Sequence, residues 1–227
     1  MLTTSTGLAD GALAVEPAPP LHAPLGAGLH WLDTPTKPAL LYVPPRLPHW
    51  SVPPLLVAFH RATGVPGDML TLLRTEAAQR KVLLLAPSSE QVTWDAIADG
   101  AFGKDAAGVQ HAMATVFDHF AVDRDRIAVA GFADGASYAL GLGLANGTLF
   151  TRVLAYSPGC IPPGRRDGRP TIFISHGRRH TILPLTNTSH RIVPALENDG
   201  FHVDYVEHDL GHQAPHSIVT TSAELLG

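Results

Sequence analysis

The chain has 227 residues, of which 45% are hydrophobic and 16% charged, with a formal net charge of −4. This composition allows a large buried core and excludes a disordered chain. It also excludes a nucleic-acid-binding protein, because such a protein needs a basic stripe and the basic clusters here are no longer than pairs such as Arg165-Arg166 and Arg178-Arg179.

Residues 1–20 are small and rich in proline, and we expect a loosely packed segment at the start of one domain spanning residues 1–227. Strand and helix signals alternate after it. The predicted strands are 38–43, 55–60, 82–86, 126–130, 152–156, 171–175 and 201–206. The predicted helices are 67–80, 105–120, 131–145, 189–198 and 217–226.

Short buried strands that alternate with helices predict an α/β fold, with a mostly parallel, doubly wound sheet and helices on both faces. The apolar runs are strand-length and too short to cross a bilayer, and no secretion-signal pattern opens the chain. We therefore expect a cytoplasmic protein without a membrane partner, either a monomer or a homodimer. The single cysteine, Cys160, excludes an internal disulfide, and we expect it to be a buried, unreactive thiol.

In a parallel sheet, functional residues concentrate in the loops after the carboxyl ends of the strands. The sharpest signal in those loops is Gly131-Phe132-Ala133-Asp134-Gly135, which follows a predicted strand and opens a predicted helix. The nucleophile elbow of hydrolases has Gly-x-Ser-x-Gly in the same setting, because its tight turn needs glycine on both sides of a strained central residue. The alternative is a plain glycine-rich turn, which leaves the other strand-end loops unexplained.

Three further loops carry polar side chains after strands, namely His60-Arg61-Ala62, His176-Gly177-Arg178-Arg179-His180 and Gly211-His212. With the elbow, they resemble the α/β-hydrolases of the phospholipase/carboxylesterase and polyhydroxybutyrate-depolymerase-like esterase groups, whose chain order is Ser, Asp, His. The resemblance covers nearly everything from Leu40 onward. It implies an α/β-hydrolase fold and an ancestral hydrolysis of small-molecule esters through an acyl-serine, without a cofactor. The loops are too short to hold a large cap domain.

Carried over to this sequence, the resemblance makes Ala133 the nucleophile position, His180 the acid position and His212 the catalytic histidine. The backbone N–H groups of Asp134 and Ala62 would form the oxyanion hole. The remaining predicted site residues support or line this site, and they are His60 at the strand end, Arg61 beside the oxyanion hole and Trp94 in an acyl cleft.

The departures from the family change the chemistry. Ala133 has no oxygen, so no acyl-enzyme can form there. His180 replaces a carboxylate that would orient the catalytic imidazole and stabilise its protonated form, and a neutral histidine supplies no negative charge. Arg61 stands where the family usually has glycine. The site thus differs from the family at three positions, which is more than a single inactivating substitution would produce. Natural divergence and an engineered variant are both consistent with these changes.

Two enzyme-derived functions fit these residues. In the first, the protein is an inactivated esterase that binds acyl ligands without turnover. In the second, the site is repurposed: His212, held by His180, acts as general base or nucleophile on an ester or carbonyl substrate, and Arg61 stabilises an oxyanion. Ser137, one helical turn past Ala133, is expected to face packing rather than substrate.

Two other classes of function remain open. A metal could bind His180 and His212 with a third ligand from His60, His176 or Asp134, but no metal-ligand spacing supports this, and we predict no metal site. A non-catalytic binding domain is the last alternative, because the fold alone does not determine function.

Overall fold

A computed structural model describes residues 5–48 and 50–226 of the chain. Its centre is one sheet of eight strands. In chain order, the strands are β1 Gly28–Leu32, β2 Ala39–Val43, β3 Leu55–Phe59, β4 Leu83–Ala86, β5 Ile127–Phe132, β6 Arg152–Tyr156, β7 Thr171–Gly177 and β8 Val203–His208.

The strands are ordered β1-β2-β4-β3-β5-β6-β7-β8 across the sheet. Only the two pairings made by β2 are antiparallel, and all other neighbours are parallel. This confirms the predicted α/β class and the mostly parallel sheet. Because Phe59 pairs with Gly131 at the ends of β3 and β5, the loops that follow these two strands emerge side by side.

Helices cover both faces of the sheet, as predicted. They are α1 Ser5–Ala9, α2 Pro66–Arg80, α3 Asp95–Ala98, α4 Lys104–His119, α5 Asp134–Ala145, α6 Ser189–Asn198 and α7 His216–Ala223. In β3, Leu55, Val57 and Phe59 belong to the core that contains residues of α4, α5 and α6. The alternate residues Leu56 and Ala58 belong to the core that contains residues of α2 and α7. This period of two is what a strand buried on both faces requires.

The described residues form no large cap domain, since the connections between strands hold only these helices and short loops. The structure adds β1, α1 and α3 to the predicted elements. It also begins α5 at Asp134 rather than Gly131, because β5 continues to Phe132 before the turn. No helix among the described residues is long and apolar enough to span a membrane.

The N-terminal segment, which we expected to be loosely packed, makes specific hydrogen bonds where the structure describes it. Asn146, which follows α5, accepts a hydrogen bond from the Leu13 N–H at 2.8 Å and donates one to the Gly11 carbonyl at 2.7 Å. Arg124 donates a further hydrogen bond to the Pro17 carbonyl. These contacts fix residues 11–17 against the end of the sheet opposite to the predicted site.

Candidate active site

The turn between β5 and α5 has the geometry of a nucleophile elbow. Ala133 has backbone angles φ 53° and ψ −114°, a conformation that residues other than glycine rarely adopt. A Cβ on Gly131 would overlap the Gly135 carbonyl, and one on Gly135 would overlap the Phe59 carbonyl. Both glycines are therefore required for the close approach of the turn to β3. The turn supports Ala133 at the position where the elbow holds its nucleophile.

Two backbone N–H groups beside Ala133 make no hydrogen bond to any other described residue. One belongs to Asp134, the first residue of α5, and the other to Ala62, in the loop after β3. The Ala133 N–H itself donates to the Tyr156 carbonyl at 2.9 Å. Two N–H groups from these two loops are the donors that an oxyanion hole uses.

His180 and His212 meet through their ring nitrogens. His212 Nδ1 lies 2.7 Å from His180 Nε2, and the two rings are nearly perpendicular, with an interplanar angle of 82°. His180 is buried, whereas His212 is exposed. On its inner side, His180 Nδ1 accepts a hydrogen bond from the Leu183 backbone N–H at 2.9 Å. The acid position thus holds His212 by a hydrogen bond although it carries no carboxylate.

His176 fixes the loop that carries His180. Its Nε2 donates to the Leu183 carbonyl at 2.8 Å, and its Nδ1 lies 2.7 Å from the Ser189 hydroxyl at the start of α6. Because Nε2 carries the proton, the Ser189 hydroxyl is the donor to Nδ1. Leu183 is consequently bound by two histidine rings, through its carbonyl to His176 and through its N–H to His180.

The surroundings keep both site imidazoles neutral. Burial and then the neighbouring rings of His176, His212 and His208 lower the pKa of His180 to about 4. Burial, followed by the charge of Arg61, also lowers the pKa of His212, and Asp134 opposes this shift. At neutral pH, the pair therefore carries no charge.

Arg61 and His212 share a groove of about 440 Å³ at the carboxyl edge of the sheet. Arg61 is exposed and makes no ion pair with any carboxylate in the described part of the chain. Phe132 packs against the His212 ring, with 4.7 Å between centroids. The walls of the groove are largely apolar, and they include Met69, Leu72, Phe132 and Val219.

No protein-family model and no curated protein matches the chain. It is similar in structure to a carboxylesterase from Mesorhizobium loti at 16% identity and a TM-score of 0.66, over 87% of this chain and 98% of that one. It is also similar to an acetyl xylan esterase from Aspergillus awamori, at 17% identity, a TM-score of 0.65 and coverages of 88% and 99%. A third similar structure is an esterase designated PE8, at 16% identity and a TM-score of 0.64, over 86% of this chain and 98% of that one.

The chain has the α/β-hydrolase fold. This confirms the fold that the resemblance of the strand-end loops implies. In this fold, residues 133, 180 and 212 follow β5, β7 and β8.

Trp94 does not line a cleft, and that prediction is wrong. Its side chain is 0% exposed and donates from Nε1 to the His60 carbonyl at 2.8 Å, while its ring stacks on Tyr138. His60 is also buried. It donates from Nδ1 to the Arg61 carbonyl and accepts from the Ser89 N–H at Nε2, so both ring nitrogens are used within the protein. The two residues shape the Arg61 loop and do not reach a ligand.

Cys160 is exposed, contrary to the expectation of a buried thiol. Partial burial nonetheless raises the pKa of its thiol, and Asp134 adds to the shift. Ser137 is buried, as expected, and its Oγ accepts hydrogen bonds from the Gly159 and Cys160 N–H groups at 2.9 and 3.2 Å. Ser137 therefore fixes the loop after β6 and offers no exposed hydroxyl.

The histidines around the site do not assemble into a metal centre. Within residues 5–48 and 50–226, no group of three or more His, Cys, Asp or Glu side chains is arranged to hold a metal ion. His60 and His176, two of the third ligands considered from the sequence, have both ring nitrogens engaged in hydrogen bonds. The third, Asp134, accepts a hydrogen bond from the Thr93 hydroxyl at 2.6 Å.

Proposed function

We propose that this α/β-hydrolase binds small ester or carbonyl compounds in the groove beside His212 and does not hydrolyse them through an acyl-enzyme. The observation that carries the proposal is Ala133, which occupies a complete elbow without supplying an oxygen. A serine mechanism needs a nucleophile at that position. The groups that bind a substrate carbonyl in such a mechanism are nevertheless present.

Three features support retained binding. The N–H groups of Asp134 and Ala62 are free to donate to a carbonyl oxygen. The groove holds about 440 Å³, which suits a small organic molecule. The glycines of the elbow and the hydrogen bonds of the His180 loop preserve the shape of a site whose nucleophile is missing.

Catalysis by His212 is the second candidate function. The 2.7 Å contact with His180 supports it, because general-base catalysis needs an imidazole held in one orientation, with an unprotonated nitrogen towards the substrate. The lowered pKa of His212 also keeps the ring neutral at pH 7, as a base must be. In this candidate, Arg61 would stabilise the developing oxyanion.

Hydrolysis of an activated aryl ester such as 4-nitrophenyl butyrate distinguishes the two functions. We expect the rate with the parent chain to lie within twofold of the rate with His212→Ala, since neither protein has an attacking oxygen. Under the same conditions, the unreactive ester methyl benzoate should bind, as followed by NMR shifts of residues around the groove.

Ser137→Ala is the matched control for a hidden serine, and it should leave the rate unchanged. Turnover that is lost in His212→Ala would establish histidine catalysis in place of the proposed function. Absence of methyl benzoate binding in the parent chain would exclude the binding function.

A further inference from the structure

The direction of the hydrogen bond between the two site histidines follows from the loop behind them. The Leu183 backbone N–H points at His180 Nδ1 at 2.9 Å. A backbone N–H can only donate, so His180 Nδ1 must present its lone pair. The proton of a neutral His180 then lies on Nε2.

His180 Nε2 therefore donates to His212 Nδ1, across the 2.7 Å contact. His212 Nδ1 is the acceptor, which puts the proton of neutral His212 on Nε2. In a serine hydrolase, the acid accepts from Nδ1–H and leaves Nε2 unprotonated as the base. The histidine at position 180 reverses this arrangement.

A second proton on either ring would break the same network. If His180 were protonated at Nδ1, this N–H would face the Leu183 N–H, and two donors cannot form a hydrogen bond. If His212 were protonated at Nδ1, this N–H would face the His180 Nε2–H in the same way. Burial and then the neighbouring histidine rings lower the pKa of His180, and burial and then Arg61 lower the pKa of His212, in agreement with this geometry. His212 Nε2, which makes no hydrogen bond elsewhere in the described chain, is a fixed donor.

Further donors lie at the site, namely the Arg61 guanidinium in the groove and the N–H groups of Asp134 and Ala62 at the elbow. The groove lining also holds the polar side chains of Asp68, Thr71, Gln213 and His216. Two carboxylates stand at or near the groove, and each is held by a hydrogen bond, Asp134 from the Thr93 hydroxyl and Asp68, in the groove lining, from the Val65 N–H. A ligand at this site therefore meets several donors, and one of them carries a positive charge.

We propose that the site binds small organic carboxylates, with the carboxylate on His212 Nε2–H and Arg61 and the apolar body along Met69, Leu72 and Phe132. This rests on the proposed binding function and names its ligand. A carboxylate accepts from several donors at once and pairs with a guanidinium, whereas an ester carbonyl is neutral. The apolar walls favour an organic acid over a bare inorganic anion.

Benzoate and its methyl ester form a matched pair of probes for this proposal. We expect benzoate to bind at least tenfold more tightly than methyl benzoate, because only benzoate offers a charged acceptor to Arg61. His212→Ala and Arg61→Gln should each weaken benzoate binding at least tenfold. Arg152→Gln, at the opposite end of the sheet, is the control and should leave it unchanged.

Long-range ¹H–¹⁵N spectra of the labelled protein report the tautomer directly. We expect a protonated Nε2 and an unprotonated Nδ1 for His212, assigned by comparison with His212→Ala, and a shift of the Nε2 signal on adding benzoate. An unprotonated Nε2 would overturn the proposal. So would inorganic phosphate that binds more tightly than benzoate.

The remaining outcomes separate this proposal from the function on which it rests. Methyl benzoate that binds as tightly as benzoate would overturn the carboxylate assignment and leave the proposed binding function standing. If neither probe binds, both are wrong.

Discussion

Ala133 and His180 would each remove a different part of the serine-hydrolase mechanism that the resemblance implies. Ala133 lacks the oxygen that attacks the ester. His180 Nε2–H donates a hydrogen bond to His212 Nδ1, so that the nitrogen facing the groove carries the ring proton and cannot accept the proton of a serine. Because these defects are independent in chemistry, correcting one of them leaves the other in place.

Restoring the serine alone should therefore fail. We expect Ala133→Ser to hydrolyse 4-nitrophenyl butyrate within tenfold of the parent rate, whereas Ala133→Ser combined with His180→Asp should be about 10³-fold faster than Ala133→Ser. The reason is that an acid replaced by a group enforcing the wrong histidine tautomer lowers turnover roughly 10⁴-fold in a serine protease. Initial rates at pH 7.5 provide the measurement.

His180→Asp alone is the control for this cycle, and it should stay inactive because Ala133 supplies no nucleophile. Equal rates for Ala133→Ser and the double variant would contradict the tautomer assignment.

Chain order and the resemblance predict that residues 133, 180 and 212 share one edge of the sheet, where they follow β5, β7 and β8. The tautomer could not be predicted in this way, because it depends on where the backbone N–H of Leu183 points. The burial of Trp94 was equally hidden, since an aromatic residue in a loop can face either the groove or the core. Spacing identifies which side chains share an edge of the sheet, but it does not determine their hydrogen-bond partners.

At the scale of elements, the β5–α5 turn is where the chain approaches itself most closely. The Cβ of an alanine at position 131 would overlap the Gly135 carbonyl. We expect Gly131→Ala to lower the free energy of unfolding by about 3 kcal/mol, because backbone cannot move aside as a flexible side chain can. Urea denaturation followed by circular dichroism measures the change.

Gly67→Ala is the matched control, because a Cβ at this helical position in α2 meets no atom within 4 Å. It should raise the free energy of unfolding by about 0.5 kcal/mol. A Gly131→Ala variant as stable as Gly67→Ala would show that the elbow is looser than the structure indicates.

The buried strands and the long helices could be predicted because their apolar periodicity is strong. The edge strand β1 was missed, since its alternating Leu29 and Trp31 are exposed and lie between glycine- and proline-rich segments. The helix α3 was missed because four residues are too few to show a period. Elements that bury little surface are hard to predict, because burial of one face is what produces a periodic pattern of apolar residues.

For the whole molecule, the buried histidines predict how stability responds to acid. Burial is the largest cause that lowers the pKa of His60, His176, His180 and His208. A histidine with a lowered folded-state pKa binds fewer protons when folded than when unfolded, so its contribution is lost as pH falls below the unfolded value. We expect the free energy of unfolding to fall from pH 6.5 towards pH 4, as measured by denaturant titrations at several pH values.

Two buried carboxyls oppose this trend. Burial raises the pKa of Asp95 to about 6, so this group contributes stability at low pH that is lost as pH rises through about 6. Burial also raises the pKa of Asp105, whose contribution acts in the same direction. The control is His180→Gln, which removes one titrating group and should make the loss on acidification smaller. Stability that rises as pH falls would show that the carboxyls outweigh the histidines.

The hydrogen bonds between Asn146 and the N-terminal segment bear on the order in which the chain folds. Leu13 and Gly11 are separated from Asn146 by 133 and 135 residues. A contact of such long sequence separation forms only after the entropy of closing a long loop has been overcome. During synthesis, residues 11–17 leave the ribosome long before the end of α5 that binds them exists. We therefore expect the segment that is made early to dock late in folding.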